Sequence, residues 1–400
     1  GYLPRLARAG FTGPIYCTSG TADLLRIMLP DAAHLQEEEA DYANRHGTSA
    51  HTPALPLFTV DDAEKALGLV RPVKVNAPVT VGRQVSARFI RSGHILGAAI
   101  MEVGVENLKV VHSGDLGRYG VPIMPDPEPV AAANILLVES TYGNRLHPRE
   151  EPATVLVAAV QRAVEQKGWL VIPAFAVGRS QEILYTLREL EEAGRIPSLA
   201  VYLDSPMAIE ATAIYAQHPE EEDPDLAKAV SAGKRPFVPR RFHLAKSVQD
   251  SKALNDVDGP VIVISGSGMA TGGRVLHHLS HRLPDPRTTV LFVGYQAAGT
   301  RGRFLRDGAK EIRIFSEDVP VRAAIMVSDA YSAHADQGEI LRWLRGFKRP
   351  PRMTYIVHGE PEAAQALKEK IGQDLGWPAT VAEAGASVPL LGGGRRGPLR

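Results

Sequence analysis

Five residues combine a side chain that can ligate metal or move a proton with a place near the end of an apolar run. His94 lies in Ser-Gly-His-Ile-Leu-Gly, and Asp115 follows the run Val-Val-His-Ser-Gly. Glu139 closes Ile-Leu-Leu-Val-Glu, His334 lies in Tyr-Ser-Ala-His-Ala-Asp, and His358 in Tyr-Ile-Val-His-Gly-Glu. Working residues of open α/β folds sit just past the carboxyl ends of strands. A binuclear hydrolytic zinc site needs neutral imidazoles and a carboxylate able to bridge two ions. His94, Asp115 and His358 are of those types. Taken singly, each also has an ordinary structural reading. A strand-end histidine can be a hydrogen-bonding residue, Asp115 a turn residue and Glu139 a cap. His112, His277, His278 and His281 are read as surface or helix positions without a strand-end signature.

Two glycine-rich loops offer a second kind of chemistry. Ser265-Gly-Ser-Gly-Met-Ala-Thr-Gly-Gly-Arg274 opens a helix, and Gly294-Tyr-Gln-Ala-Ala-Gly-Thr-Arg-Gly-Arg303 follows another apolar run. Glycines let backbone N–H groups converge, and a helix N-terminus favours an anion. Arg179 and Asp204-Ser-Pro-Met207 open further helices after strands, so Arg179, Ser205, Ser267, Arg274, Gln296, Thr300 and Arg301 are the candidate phosphate-binding residues. A single loop of this kind would be read as a tight strand–helix turn. Several in one region, each with Arg or Ser, point to a phosphate track. Neither contains Gly-Lys-Ser/Thr, which excludes a Walker A nucleotide site.

These residues need a scaffold, and the apolar pattern supplies one. Helices are predicted over 21–46, 152–166, 180–194, 337–347 and 361–373. Strands are predicted over 86–90, 98–104, 108–112, 135–138, 169–172, 199–203, 260–264, 289–293 and 353–357. Alternating strands and helices indicate an α/β chain with a parallel sheet. The Gly-Gly-Gly-Arg-Arg-Gly stretch at 392–397 reads as a frayed tail.

Bulk composition decides less. The 400 residues carry 45 Lys+Arg and 45 Asp+Glu, so any polyanion site must be a local patch rather than a global charge. The single cysteine, Cys17, leaves metal binding to His, Asp and Glu and fits a reducing cytoplasm. No run of eighteen apolar residues suggests a membrane span, and no signal peptide is expected.

Together, Gly-His-Ile-Leu-Gly, Ser-Gly-Asp-Leu-Gly, Glu-Ser-Thr-Tyr-Gly, Pro-Ala-Phe-Ala-Val-Gly-Arg, Asp-Ser-Pro-Met-Ala, Ser-Gly-Met, Gly-Tyr-Gln, Ser-Ala-His-Ala-Asp and Val-His-Gly-Glu resemble the β-CASP branch of the metallo-β-lactamase superfamily. That branch includes the cleavage-and-polyadenylation nuclease subunit and the Integrator nuclease. The resemblance runs from Gly1 to about Ala382. It implies a metallo-β-lactamase αββα sandwich, incomplete at the N-terminus, with an inserted β-CASP parallel-sheet domain. The expected boundaries are 1–173 and 319–400 for the lactamase parts and 174–318 for the insertion.

The resemblance also implies roles. His94 would ligate one Zn2+, Asp115 would bridge two, and His358 would ligate the second. Glu139, His334 and His358 would be the β-CASP signature residues, and a histidine at the third favours RNA over DNA. The implied reaction is endonucleolytic hydrolysis of single-stranded RNA in the cytoplasm by metal-activated water, leaving 5′-phosphate and 3′-hydroxyl ends. His334, oriented by Glu139, would protonate the departing oxygen. The group admits homodimers. Two rivals are an inactive RNA-binding scaffold homologue and a lactamase-fold hydrolase of small thioesters or lactams. The rivals are disfavoured by the retained metal positions and by the phosphate loops respectively. One departure is large: none of the thirteen histidines belongs to the family's His-x-His-x-Asp-His motif. In relatives this motif precedes a segment like Gly1-Tyr-Leu-Pro-Arg5. A truncated start is the expectation, in which case the chain alone would be inactive for want of ligands.

Overall fold

The computed structural model describes residues 2–148, 151–388 and 390. The tail at 392–397 lies outside the described residues. Contacts divide the chain into two compact units. One comprises Gly1–Pro72 and Pro148–Ala333, and the other Val73–His147 and His334–Arg400. Residues 1–72 thus associate with 148–333.

The second unit is built on a seven-stranded mixed sheet. Its order is Ala379–Val381, Met353–Val357, Ile135–Glu139, Leu108–His112, Ala99–Val105, Val85–Arg91, Pro78–Gly82. The first four strands are mutually parallel, and the rest join as antiparallel meanders. Alternation decides the faces. Leu136, Val138 and Ile356 turn into a core with Ile340, Leu344, Leu367 and Ile371. These last come from helices Gln337–Leu344 and Pro361–Leu375. Trp343, Phe347 and Trp377 stack edge-to-face in the same core. The first of these helices starts with a capping box between Asp336 and Glu339.

The first unit carries a six-stranded sheet, parallel throughout. Its order is Arg241–Leu244, Ala200–Asp204, Val261–Gly266, Trp169–Ala174, Thr289–Val293, Ala324–Ser328. The central strands are buried on both faces, which explains their unbroken apolar runs. Helices Arg179–Glu192, Pro206–Tyr215 and Arg274–Arg282 lie in the connections between its strands, and Pro152–Glu165 leads into Trp169–Ala174. The N-terminal part adds the long helix Ser19–His46 and helix Val60–Leu69, packed through Leu29, Ala33, Phe58, Ala63 and Ala66. No helix among the described residues is long and apolar enough to cross a membrane.

Candidate metal centre

Three neighbouring parallel strands of the second unit bring the site together. Leu108–His112, Ile135–Glu139 and Met353–Val357 pair in register, with His112 opposite Leu137 and Val357 opposite Glu139. Their carboxyl ends therefore deliver Asp115, Glu139 and His358 to one edge. Ser113 and Ser140 tie these ends together. The Ser113 hydroxyl accepts from Glu139 N at 3.0 Å, and the Ser140 hydroxyl donates to the Val357 carbonyl at 2.9 Å. A Cβ on Gly359 would lie 2.3 Å from the Ser140 hydroxyl and 2.5 Å from its carbonyl, so only glycine fits after His358.

His94 arrives from the loop after Val85–Arg91. Gly117 N donates to the Ser92 carbonyl at 2.7 Å, and a Cβ on Gly117 would meet the Gly93 carbonyl oxygen at 2.0 Å. This close backbone approach holds His94 beside Asp115. His334 is anchored by the same segment: it bridges Gly117, and Ala335 N donates to the Leu116 carbonyl at 2.8 Å.

The resulting geometry is specific. Asp115 Oδ1 lies 3.1 Å from His358 Nδ1, while Oδ2 lies 3.8 Å from His94 Nε2. Each oxygen thus faces a different imidazole. Glu139 is fully buried. It accepts from Leu116 N at 2.5 Å, and both its oxygens lie 3.2 Å from His334 Nδ1. The His94 and His334 rings are 4.3 Å apart, and those of His334 and His358 5.8 Å. Ligand atoms of His94, Asp115 and His334 lie within 4.8 Å of one another, as do those of Glu139, His334 and His358. Burial would raise the Asp115 carboxyl, but the His358 hydrogen bond and the His94, His334 and His358 charges outweigh it and hold it at about 2. The Asp115 hydrogen bond in turn pushes His358 up, against its partial burial.

A metal fits this donor set. Nitrogen and carboxylate oxygen ligands converge, thiolates are absent from the group, and one carboxylate presents an oxygen on each of two sides.

Two neighbours escaped the sequence reading. His147, whose side chain is 5% exposed, places Nε2 2.8 Å from the His334 carbonyl oxygen. Its backbone N donates to Asp336 at 2.7 Å. Asp336 and Glu339 complete this cluster with His147. His112, read as a surface or helix residue, is half-buried at a strand end, where Nδ1 accepts from Gly114 N at 2.9 Å.

The seven phosphate-site candidates all belong to the first unit, in segments after the carboxyl ends of four adjacent strands. Most are engaged in holding their loops. Ser205 caps Pro206–Tyr215, and Thr300 caps the helix beginning at Arg301. Ser267, in the left-handed region at φ 75°, accepts from Thr271 N and Gly272 N. Gln296 donates to the Gly268 carbonyl at 3.0 Å. Arg179 pairs with Glu182, and Arg274 with fully buried Asp204 at 2.7 Å. Arg301 is half-buried, and its guanidinium bonds to the carbonyls of Arg313 and Thr271, so its charge meets no carboxylate in those contacts. His278, read as a surface or helix position, lies on helix Arg274–Arg282 but is buried, with Nε2 2.6 Å from Asp204.

The Beta-Casp domain model matches residues 180–305, and the model of the Zn-dependent metallo-hydrolase RNA specificity domain matches 318–382. The ribonuclease TTHA0252 of Thermus thermophilus is 37% identical over 394 residues, spanning 98% of this chain and 85% of that one. The chain belongs to the β-CASP metallo-β-lactamase family. Its fold is accordingly the α/β metallo-β-lactamase fold with an inserted β-CASP domain, and its chemistry is that of a metal-dependent hydrolase. Other relatives include an RNase J-like protein of Methanocaldococcus jannaschii, 29% identical over 94% of this chain and 83% of its own. The transcription termination factor FttA of Methanosarcina mazei is 32% identical over 94% of this chain. The chain spans 59% of that longer protein.

Proposed function

We propose that this β-CASP protein is a zinc-dependent endoribonuclease that hydrolyses single-stranded RNA in the cytoplasm to 5′-phosphate and 3′-hydroxyl ends. One observation carries the reading: Asp115 offers each oxygen to a different imidazole, directly beside the buried Glu139 and its partner His334. A carboxylate so disposed suits a bridging ligand, with His94 on one side and His358 on the other. Two zinc ions held there would supply Lewis acidity, activating water and neutralising charge on the scissile phosphate.

The remaining work belongs to the chain. Glu139 has one oxygen fixed by Leu116 N and faces His334 Nδ1, so it sets the ring's orientation and stabilises the imidazolium. Nε2 is then left to carry the mobile proton. Water adds to phosphorus and releases a proton to solvent, the P–O3′ bond breaks, His334 Nε2–H protonates the departing oxygen, and the neutral ring regains its proton from solvent. The RNA assignment rests on relatives named as ribonucleases. Arg301 and the backbone N–H groups of the glycine loops would contact phosphates along the strand.

In the full natural protein, His334→Ala is expected to lower turnover on an end-labelled RNA by about 10²–10⁴-fold. Bound zinc should stay near the wild-type level. Loss of zinc along with turnover would contradict the proton-donor role.

A further inference from the structure

A second cluster of metal-binding side chains lies in the first unit, apart from the residues assigned to catalysis. His218 follows helix Pro206–Tyr215 and is 6% exposed. Its Nε2 lies 3.0 Å from Asp23 Oδ2 on the long helix Ser19–His46, and its Nδ1 lies 2.9 Å from Glu220 Oε1. Glu221, also buried, accepts the N–H of Gly20 at 3.3 Å. Ligand atoms of His218, Glu220 and Glu221 all lie within 4.8 Å of one another.

Glu222 makes this more than an acidic turn. It is 5% exposed, and neither of its carboxylate oxygens has a hydrogen-bond partner. A carboxylate withdrawn from water needs a proton or a cation. The histidine poses the same choice. Without a cation, His218 must carry both ring protons to satisfy Asp23 and Glu220 together. With one, Nε2–H donates to Asp23 and Nδ1 presents a lone pair toward Glu220. A carboxylate on the far ring nitrogen is the usual device for orienting a metal-ligating histidine.

We propose that His218, Glu220 and Glu221, with Glu222 beside them, form a structural site for a divalent transition-metal ion that fastens helix Ser19–His46 to the 218–222 segment. One imidazole with several carboxylates selects the Mn2+/Zn2+ class over Ca2+ and Mg2+. Asp23 orients the histidine and does not ligate.

Mn2+ is the probe, titrated into the EDTA-stripped full natural protein, with metal content counted in parallel. Glu222→Gln and His218→Ala should each bind one equivalent fewer than wild type. RNA cleavage at saturating metal should be unchanged. Without metal, Glu222→Gln should unfold at or above the wild-type temperature, since a buried carboxyl has become a neutral amide. With Mn2+ its rise in unfolding temperature should fall below the wild-type rise. Equal stoichiometry in wild type and Glu222→Gln would overturn the proposal. Should both variants misfold, wild type alone decides. Bound Mn2+ must broaden the His218 imidazole resonances beyond detection, and sharp His218 signals at saturating Mn2+ would overturn it.

Discussion

In the proposed mechanism the Glu139–His334 pair works only while the His334 backbone stays in place, and His147 helps to hold it there. Its Nε2–H reaches the His334 carbonyl at 2.8 Å from a site that is almost wholly buried. Burial and the Arg118 charge hold the His147 imidazole below its usual range, favouring the neutral ring with a single N–H to give. His147→Ala leaves that carbonyl without its donor, and kcat should fall by about 10–100-fold, the usual cost of removing a supporting partner. KM should change little, and His147→Gln, which keeps an N–H, should recover part of the loss. Equal losses in both variants, tracking a lowered unfolding temperature, would reduce His147 to a packing role. Residue-scale legibility was uneven. Asp115, Glu139 and His358 stood out because each follows a strand. His147, Asp336 and Glu339 did not, because their place is set by a helix cap and a loop contact that no local spacing encodes. His278 was readable in principle, since it shares the buried helix face with Val275, Leu276 and Leu279.

At the scale of elements, loop ends in the parallel sheet are held by buried polar groups, and Asp204 is the most heavily used. It takes hydrogen bonds from Ser251 at 2.6 Å and Arg274 at 2.7 Å, with His278 Nε2 at 2.6 Å. Burial alone would raise this carboxyl; the His278, Ser251 and Arg274 bonds hold it below 3.8. A depressed native value contributes stability above the unfolded value, and that contribution is lost as pH falls through the native one. Asp204→Asn should therefore cost about 3 kcal/mol at neutral pH. The gap to wild type in urea unfolding should shrink as pH drops below 3.8. A pH-independent gap would contradict the ionised assignment. The same pairing separates two arginines. Arg301→Ala should weaken RNA binding and lower the salt slope by about one unit without loss of stability. Arg274→Ala should lower the unfolding temperature, because it strips a partner from a buried carboxylate. A salt slope unchanged in Arg301→Ala would remove it from the RNA path. Buried strands were legible from apolar runs, and helix bounds came within a few residues. Pro78–Gly82 and Arg241–Leu244 were missed because each is an edge strand with mostly exposed side chains. The cap of Val60–Leu69, a Thr59–Asp62 box, was visible in the sequence but followed no long apolar pattern.

Across the whole molecule, the sequence made the parallel sheet visible but not how far it runs. The sheet draws in Trp169–Ala174 and Ala324–Ser328, either side of the expected 174–318 block. Hydrophobic runs report which strands are buried, and say little about which neighbours they choose. The candidate ligands His94, Asp115 and His358 all belong to one unit, so their convergence depends on that unit's own sheet. The direct test is anomalous diffraction at the zinc edge on crystals of the full natural protein grown with Zn2+. Two peaks about 3.5–4 Å apart, flanking Asp115 with His94 and His358 on opposite sides, are expected. A map without a peak within bonding distance of Asp115, or with one ion that leaves either histidine unengaged, would contradict the account.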